Sequence, residues 1–180
     1  MKGIVFTEFM EMVEEKFSPE VLDAVIDDSG VPNGGAYTAV GTYDHREMVS
    51  LVTALSSHSG IAVPDLLRSF GHHLAATFAR SHPSFFRTDG LFTFLESVEH
   101  HVHVEVRKLY PDAELPAFET RRVPPATLEV TYRSSRSMGD LAFGLIEAAA
   151  LHFQEPVDIA REDCSGGRGT EILFTITKRA

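Results

Sequence analysis

The residues best suited to chemistry lie in two short runs. HVEVRKLYPDAELPAF, His103 to Phe118, carries an imidazole on a helical segment stopped by Pro111. YRSSR, Tyr132 to Arg136, carries a phenol, a hydroxyl and a guanidinium at alternate positions. Neutral imidazole is a common ligand for metals, haem iron included. Hydroxyls and a guanidinium suit carboxylates such as haem propionates, and arginine offers a bidentate fork. On an extended backbone Tyr132, Ser134 and Arg136 share one face. Together the two runs read as one cofactor site. Each also has an ordinary reading: an edge-of-stripe histidine with a hydrogen-bond partner, and a strand end dressed for solvation.

Nine histidines are present, and His100, His101 and His103 crowd one predicted helix, Leu91 to Tyr110. At about 100° per residue, a wheel centred on Val102 gathers Leu91, Leu95, Val98, Val106 and Leu109 into one apolar stripe. His100 points away from it. His101 and His103 take opposite edges, and periodicity does not choose between them. Zinc is disfavoured: there is no HExxH, Cys164 is the one cysteine, and His101 and His103 cannot share a helical face. His100 and His103 are three apart and could approach one metal, but no further ligands are evident.

The elements around these runs follow from periodicity. Val5, Phe6, Phe9, Met10, Val13 and Phe17 recur at helical spacing. Ser18-Pro19 starts a second helix that ends near Gly30. Val31 to Tyr43 reads as irregular, and Asp44 as the cap of a third helix. A fourth starts near Pro64 and carries Leu66, Leu67, Phe70, Leu74 and Phe78, until HPSFFRTDG breaks it. FETRRV and LEVTY read as strands joined across Pro124-Pro125, and PVDIARE and ILFTITK as strands around SGGRG. Between the pairs lies a helix from Met138 to Phe153. The fold class is α+β: a mostly helical N-terminal part packed on a C-terminal antiparallel sheet with an embedded helix.

Composition bounds the function. The 180 residues suit one domain and are 43% apolar, enough for a substantial core. A net charge of −10 argues against nucleic acid as a partner. No apolar run reaches the roughly 18 residues of a membrane span. The N-terminus carries acids through its apolar pattern and lacks a small-residue cleavage site, so a cytoplasmic protein is expected. A single cysteine leaves no internal disulfide.

The combination of runs resembles the H-NOX family, the haem nitric oxide/oxygen-binding domain also found in soluble guanylate cyclase. The likeness covers nearly the whole chain. It rests on the MKGIVF opening, the histidine seven residues before Tyr110-Pro111, LPAF at Leu115 to Phe118, the Tyr-x-Ser-x-Arg signature in YRSSR, and MGDLAFGLIEAAALHF. The resemblance implies a single domain over residues 1–180, with a helical subregion over about 1–62 and a haem-enclosing subregion over about 63–180. It implies haem b held between the helical N-terminal part and the C-terminal sheet, with His103 as proximal iron ligand and Tyr132, Ser134 and Arg136 on the propionates. Pro116 matches a proline that presses on the porphyrin. His72, His73, His100 and His101 are then left as mostly solvated side chains.

In oxygen-binding relatives a distal tyrosine donates a hydrogen bond to the ligand. The matching position here is Leu141, and its partner positions are Phe9 and Leu74; none carries a donor. The expected pocket lining is Val5, Phe9, Leu74, Phe78, Leu141 and Leu145. Selectivity for nitric oxide over oxygen follows, with carbon monoxide as a further ligand. The resemblance implies a sensor and not an enzyme, signalling through loss of the iron–His103 bond and movement of the haem and helix. Its partner would be a separate histidine kinase or cyclic-di-GMP enzyme. Some relatives carry a cysteine-rich zinc site near the C-terminus; with Cys164 alone, and Gly139 and Arg161 nearby, none is expected here. Two rival readings stand beside this one: an oxygen-binding haem sensor, and a haem-free interaction domain.

Overall fold

The structure, a computed structural model, describes residues 1–179. Helix α1 (Gly3–Lys16) buries Phe6, Phe9, Met12 and Val13 along one stripe. Helix α2 (Pro19–Ser29) starts where Ser18 Oγ accepts the Val21 amide at 3.2 Å. Helix α3 (His45–Ser59) is capped by Asp44, which accepts the Arg46 amide at 2.9 Å. Each cap satisfies one amide that a helix start leaves open. Helix α4 (Val63–Ser81) runs to a short 3₁₀ turn at Pro83–Phe86.

The predicted long helix is not one regular helix. It is α5 (Leu91–Ser97), a π turn (Val98–Val102) and α6 (His103–Leu109). A π turn takes in an extra residue, so every position beyond it is rotated away from an α-helical wheel. Leu109, placed on the buried stripe by that wheel, is 59% exposed, while His103 is buried.

Strands β1 (Ala117–Val123), β2 (Thr127–Arg133), β3 (Val157–Asp163) and β4 (Glu171–Lys178) form one antiparallel sheet in the order β1-β2-β4-β3. Alternation puts Leu128, Val130 and Tyr132 of β2 and Ile172, Phe174 and Ile176 of β4 on the buried side. Helix α7 (Gly139–His152) lies between the two pairs in sequence. The α+β reading therefore holds.

Two apolar cores result. One joins α1–α4 with Met138, Leu141 and Leu145; the other joins α5, the sheet and the Ala142, Ile146, Ala149 and Ala150 side of α7. Helix α7 thus serves both. Its contact with α4 depends on two glycines. A Cβ on Gly71 would lie 2.5 Å from the Leu141 carbonyl oxygen, and one on Gly144 would lie 2.8 Å from the Arg68 carbonyl carbon. The backbones approach too closely for a side chain at either position, which fixes where α4 and α7 present Leu74 and Leu141. Among the described residues, no helix is long and apolar enough to cross a membrane.

Candidate functional site

His103 opens α6 immediately after the π turn. It is 7% exposed, whereas His100 and His101 are exposed. Burial therefore separates the two histidines that the helical wheel left level. His103 Nδ1 lies 3.1 Å from Glu99 Oε2, and that same oxygen accepts the Phe118 amide at 3.2 Å. Arg107 Nη2 faces the other Glu99 oxygen at 3.5 Å.

The electrostatics follow from these contacts. Burial raises the Glu99 carboxyl, but the Phe118 amide, His103 and Arg107 outweigh it and hold the group below the usual carboxylate range. Burial pushes the His103 imidazole down, against the upward pull of Glu99. A neutral ring that donates Nδ1–H to a carboxylate keeps the Nε2 lone pair for a metal. Metal-ligating histidines are oriented in this way. Glu99 was not singled out in the sequence; an acid four residues before the histidine was the available signal.

A row of rings leads away from His103. Its centroid is 5.7 Å from Phe118, which is 5.7 Å from Tyr132, the cross-strand partner of Phe118. Tyr132 is 3% exposed, and its Oη accepts the Met138 amide at 3.2 Å. Burial pushes its phenol up, so the group stays protonated and able to donate.

Beyond Arg133 the chain leaves the sheet, contrary to the extended run expected through Arg136. Ser134 donates its amide to Thr170, and its Oγ accepts the Arg136 amide at 3.2 Å, closing a turn. The turn still brings Ser134 and Arg136 onto one pocket of about 310 Å³, whose opposite wall is Glu114, Leu115 and Ala117. Arg136 already grips a carboxylate there. Nη2 donates to Glu114 Oε2 at 2.9 Å and Nη1 to the Glu114 carbonyl at 2.6 Å. The arginine side chain is 13% exposed and the glutamate 86%. Pro116 stands directly before β1, partly buried.

The six apolar residues expected around a ligand come together in the first core. Phe9 and Leu74 are buried there, and Val5, Phe78, Leu141 and Leu145 pack against it. The Phe9 and Phe70 rings meet edge to face at 5.3 Å. None of the six side chains carries a hydrogen-bond donor. His103, Phe118 and Tyr132 lie on the side of the second core. Cys164 is exposed, and Arg161 beside it pairs with Asp140. His72 bonds Glu147 at 3.1 Å, but His73 departs from expectation: its side chain is only 8% exposed.

The family model described as haem-NO-binding matches residues 2–161. The chain belongs to the H-NOX family. Among solved H-NOX structures, the Fe(II) unliganded protein of K. algicida is 38% identical, with a TM-score of 0.94 over 100% of this chain and 97% of that one. The H-NOX of Shewanella woodyi, solved in the Fe(II)CO state with IWP-051 bound, is 36% identical, with a TM-score of 0.84 over 99% and 95%. An Fe(II)NO H-NOX from S. oneidensis, 24% identical with a TM-score of 0.91 over all of both chains, shares the fold. No curated protein matches the chain. The H-NOX family binds haem, and its domains are gas sensors and not catalysts.

The residues present fit that group. One buried neutral imidazole has its second nitrogen free for iron. A phenol, a hydroxyl and a guanidinium that already binds a carboxylate suit the propionates.

Proposed function

We propose that this H-NOX chain is a nitric oxide sensor that holds ferrous haem b through His103 and reports to a separate signalling protein. The observation that carries the reading is the fixed His103 ring, with Nδ1 on Glu99 and Nε2 left over. Bound haem would supply a ferrous iron able to take diatomic gases, carbon monoxide as well as nitric oxide. In this reading the haem lies between the helical N-terminal part and the C-terminal sheet, enclosed by the mixed subregion of about 63–180 beside the helical subregion of about 1–62.

The remaining roles belong to the chain. Tyr132, Ser134 and Arg136 bind the propionates, with a propionate taking the place of the Glu114 carboxylate on Arg136. Pro116, directly before β1, would press on the porphyrin. Val5, Phe9, Leu74, Phe78, Leu141 and Leu145 exclude water and offer bound oxygen no hydrogen bond. Oxygen depends on such a donor and nitric oxide does not, so the pocket selects nitric oxide.

The relay starts at His103. A change in the hold on its ring is felt by Glu99, by β1 through the Phe118 amide, and by α6. Beyond α6, Asp112 accepts Lys2 Nζ at 3.0 Å and Thr42 Oγ1 at 2.7 Å. Movement of α6 is thereby passed to the start of the chain. Two conformations that differ in their affinity for the gas couple binding to output. The chain works in the cytoplasm, and its partner is a separate histidine kinase or cyclic-di-GMP enzyme, the classes that the family resemblance suggests.

An anaerobic absorption spectrum of the reduced protein, taken before and after nitric oxide and then in air, tests the reading. Five-coordinate ferrous haem that takes nitric oxide and forms no oxygen complex is the expected result. A stable oxygen complex would replace it with an oxygen sensor. Failure to take up haem on reconstitution would replace it with an interaction domain.

A further inference from the structure

Glu8 and Glu11 of α1 meet His73 of α4. One ligand atom from each lies within 4.8 Å of the others. The His73 side chain is 8% exposed and that of Glu8 13%; His73 Nε2 and Glu8 Oε2 face each other at 3.3 Å. Both atoms are buried and neither makes a hydrogen bond. The distance is within ion-pair reach, but the N–H direction does not line up with the oxygen. Glu15 Oε2 lies 3.8 Å from Nδ1 on the other side of the ring. A proton on Nδ1, on the side of Glu15, leaves Nε2 with a lone pair beside the Glu8 carboxylate. In that tautomer a nitrogen lone pair and a carboxylate oxygen stand together with no hydrogen between them, and a cation shared by the two relieves the repulsion.

The 3.3 Å between His73 Nε2 and Glu8 Oε2 suits such a cation, and a Glu11 oxygen within 4.8 Å closes in on binding. Ligand atoms about 2.0–2.1 Å from a tetrahedral zinc ion stand about 3.3 Å apart along an edge. We infer that Glu8, Glu11 and His73 form a binding site for a first-row divalent cation, zinc by the chemistry of one imidazole and two carboxylates. Glu11 is exposed and leaves the site open to solvent for entry and for a water ligand. The ion would clamp α1 to α4. Phe9 and Leu74 each follow a ligand directly in sequence, so the clamp also stiffens two walls of the apolar pocket.

The competing account is a protonated His73 paired with Glu8 and no metal. Equilibrium dialysis of the full chain, stripped with chelator and returned to micromolar zinc, separates the two. Zinc per chain is the readout, with far-UV circular dichroism to follow the fold. One zinc per chain is expected, with affinity falling at least about tenfold in Glu8→Gln and His73→Gln and unchanged in His58→Gln and Cys164→Ser. The melting temperature should rise with zinc in the wild type and not in the two ligand variants. Should His73→Gln not fold, the exposed Glu11→Gln reads the same loss. Absence of stoichiometric zinc, zinc retained in the ligand variants, or zinc lost with Cys164→Ser overturns the site.

Discussion

Glu99 Oε2, in the π turn between α5 and α6, stands 3.1 Å from Nδ1 of His103, the first residue of α6. The same oxygen accepts the Phe118 amide, so a single carboxylate ties the imidazole to the first strand of the sheet. The ring is therefore fixed by its surroundings before any iron is bound, and motion of the ring must disturb both elements.

Replacing Glu99 by Gln keeps the shape and removes the charge. The His103 ring becomes less basic. The amide oxygen can still accept from His103 and Phe118, but the NH2 group then faces Arg107 where a carboxylate oxygen stood. Haem affinity should fall about 10–100-fold, the usual effect of losing such a supporting group. The iron–histidine stretch in resonance Raman should shift to lower frequency. Unchanged retention and an unchanged stretch would mean that Glu99 does not tune the ligand.

Much of this arrangement was legible in the sequence. Helix caps at Ser18 and Asp44 and strand alternation through Leu128, Val130 and Tyr132 follow from local rules, and the structure agrees with them. The π turn does not follow from such rules. No residue in Val98–Val102 marks the extra residue, so a wheel turning at a constant angle put Leu109 inside and left His101 level with His103. The Ser134–Arg136 turn was hidden for a related reason: alternate polar residues look the same on a strand and on a turn closed by a serine hydroxyl. In the sequence His73 reads as a surface residue because its burial comes from α1, more than fifty positions away. Glu114 on Arg136 is likewise a contact between segments that the sequence does not pair.

Leu141→Tyr tests the distal side. The substitution adds one donor to a wall that has none, on a helix held rigidly against α4. The expected outcome is a measurable ferrous–oxygen complex in air-equilibrated buffer, with nitric oxide binding retained. If no oxygen complex forms, ring placement and not the missing donor is what limits oxygen.

Gly144→Ala tests the α4–α7 contact. Alanine is the better helix former by about 1 kcal/mol. Here its methyl would meet the Arg68 carbonyl, backbone that cannot turn aside. Overpacking of this kind costs about 1–3 kcal/mol, and a clash with main chain belongs at the upper end. The net loss of about 2 kcal/mol should lower the melting temperature by roughly 4–8 °C for a chain of this size. A melting temperature equal to or above that of the wild type would show that the helices can part without penalty.

The assignment of His103 carries the whole account, and exchange of that side chain for a free ligand tests it most directly. His103→Gly should lose the five-coordinate ferrous spectrum of the reduced protein, and added imidazole should restore it. His101→Gly should leave the spectrum unchanged. A His103→Gly protein that keeps its native spectrum without imidazole, or a loss that follows His101→Gly instead, would contradict the account.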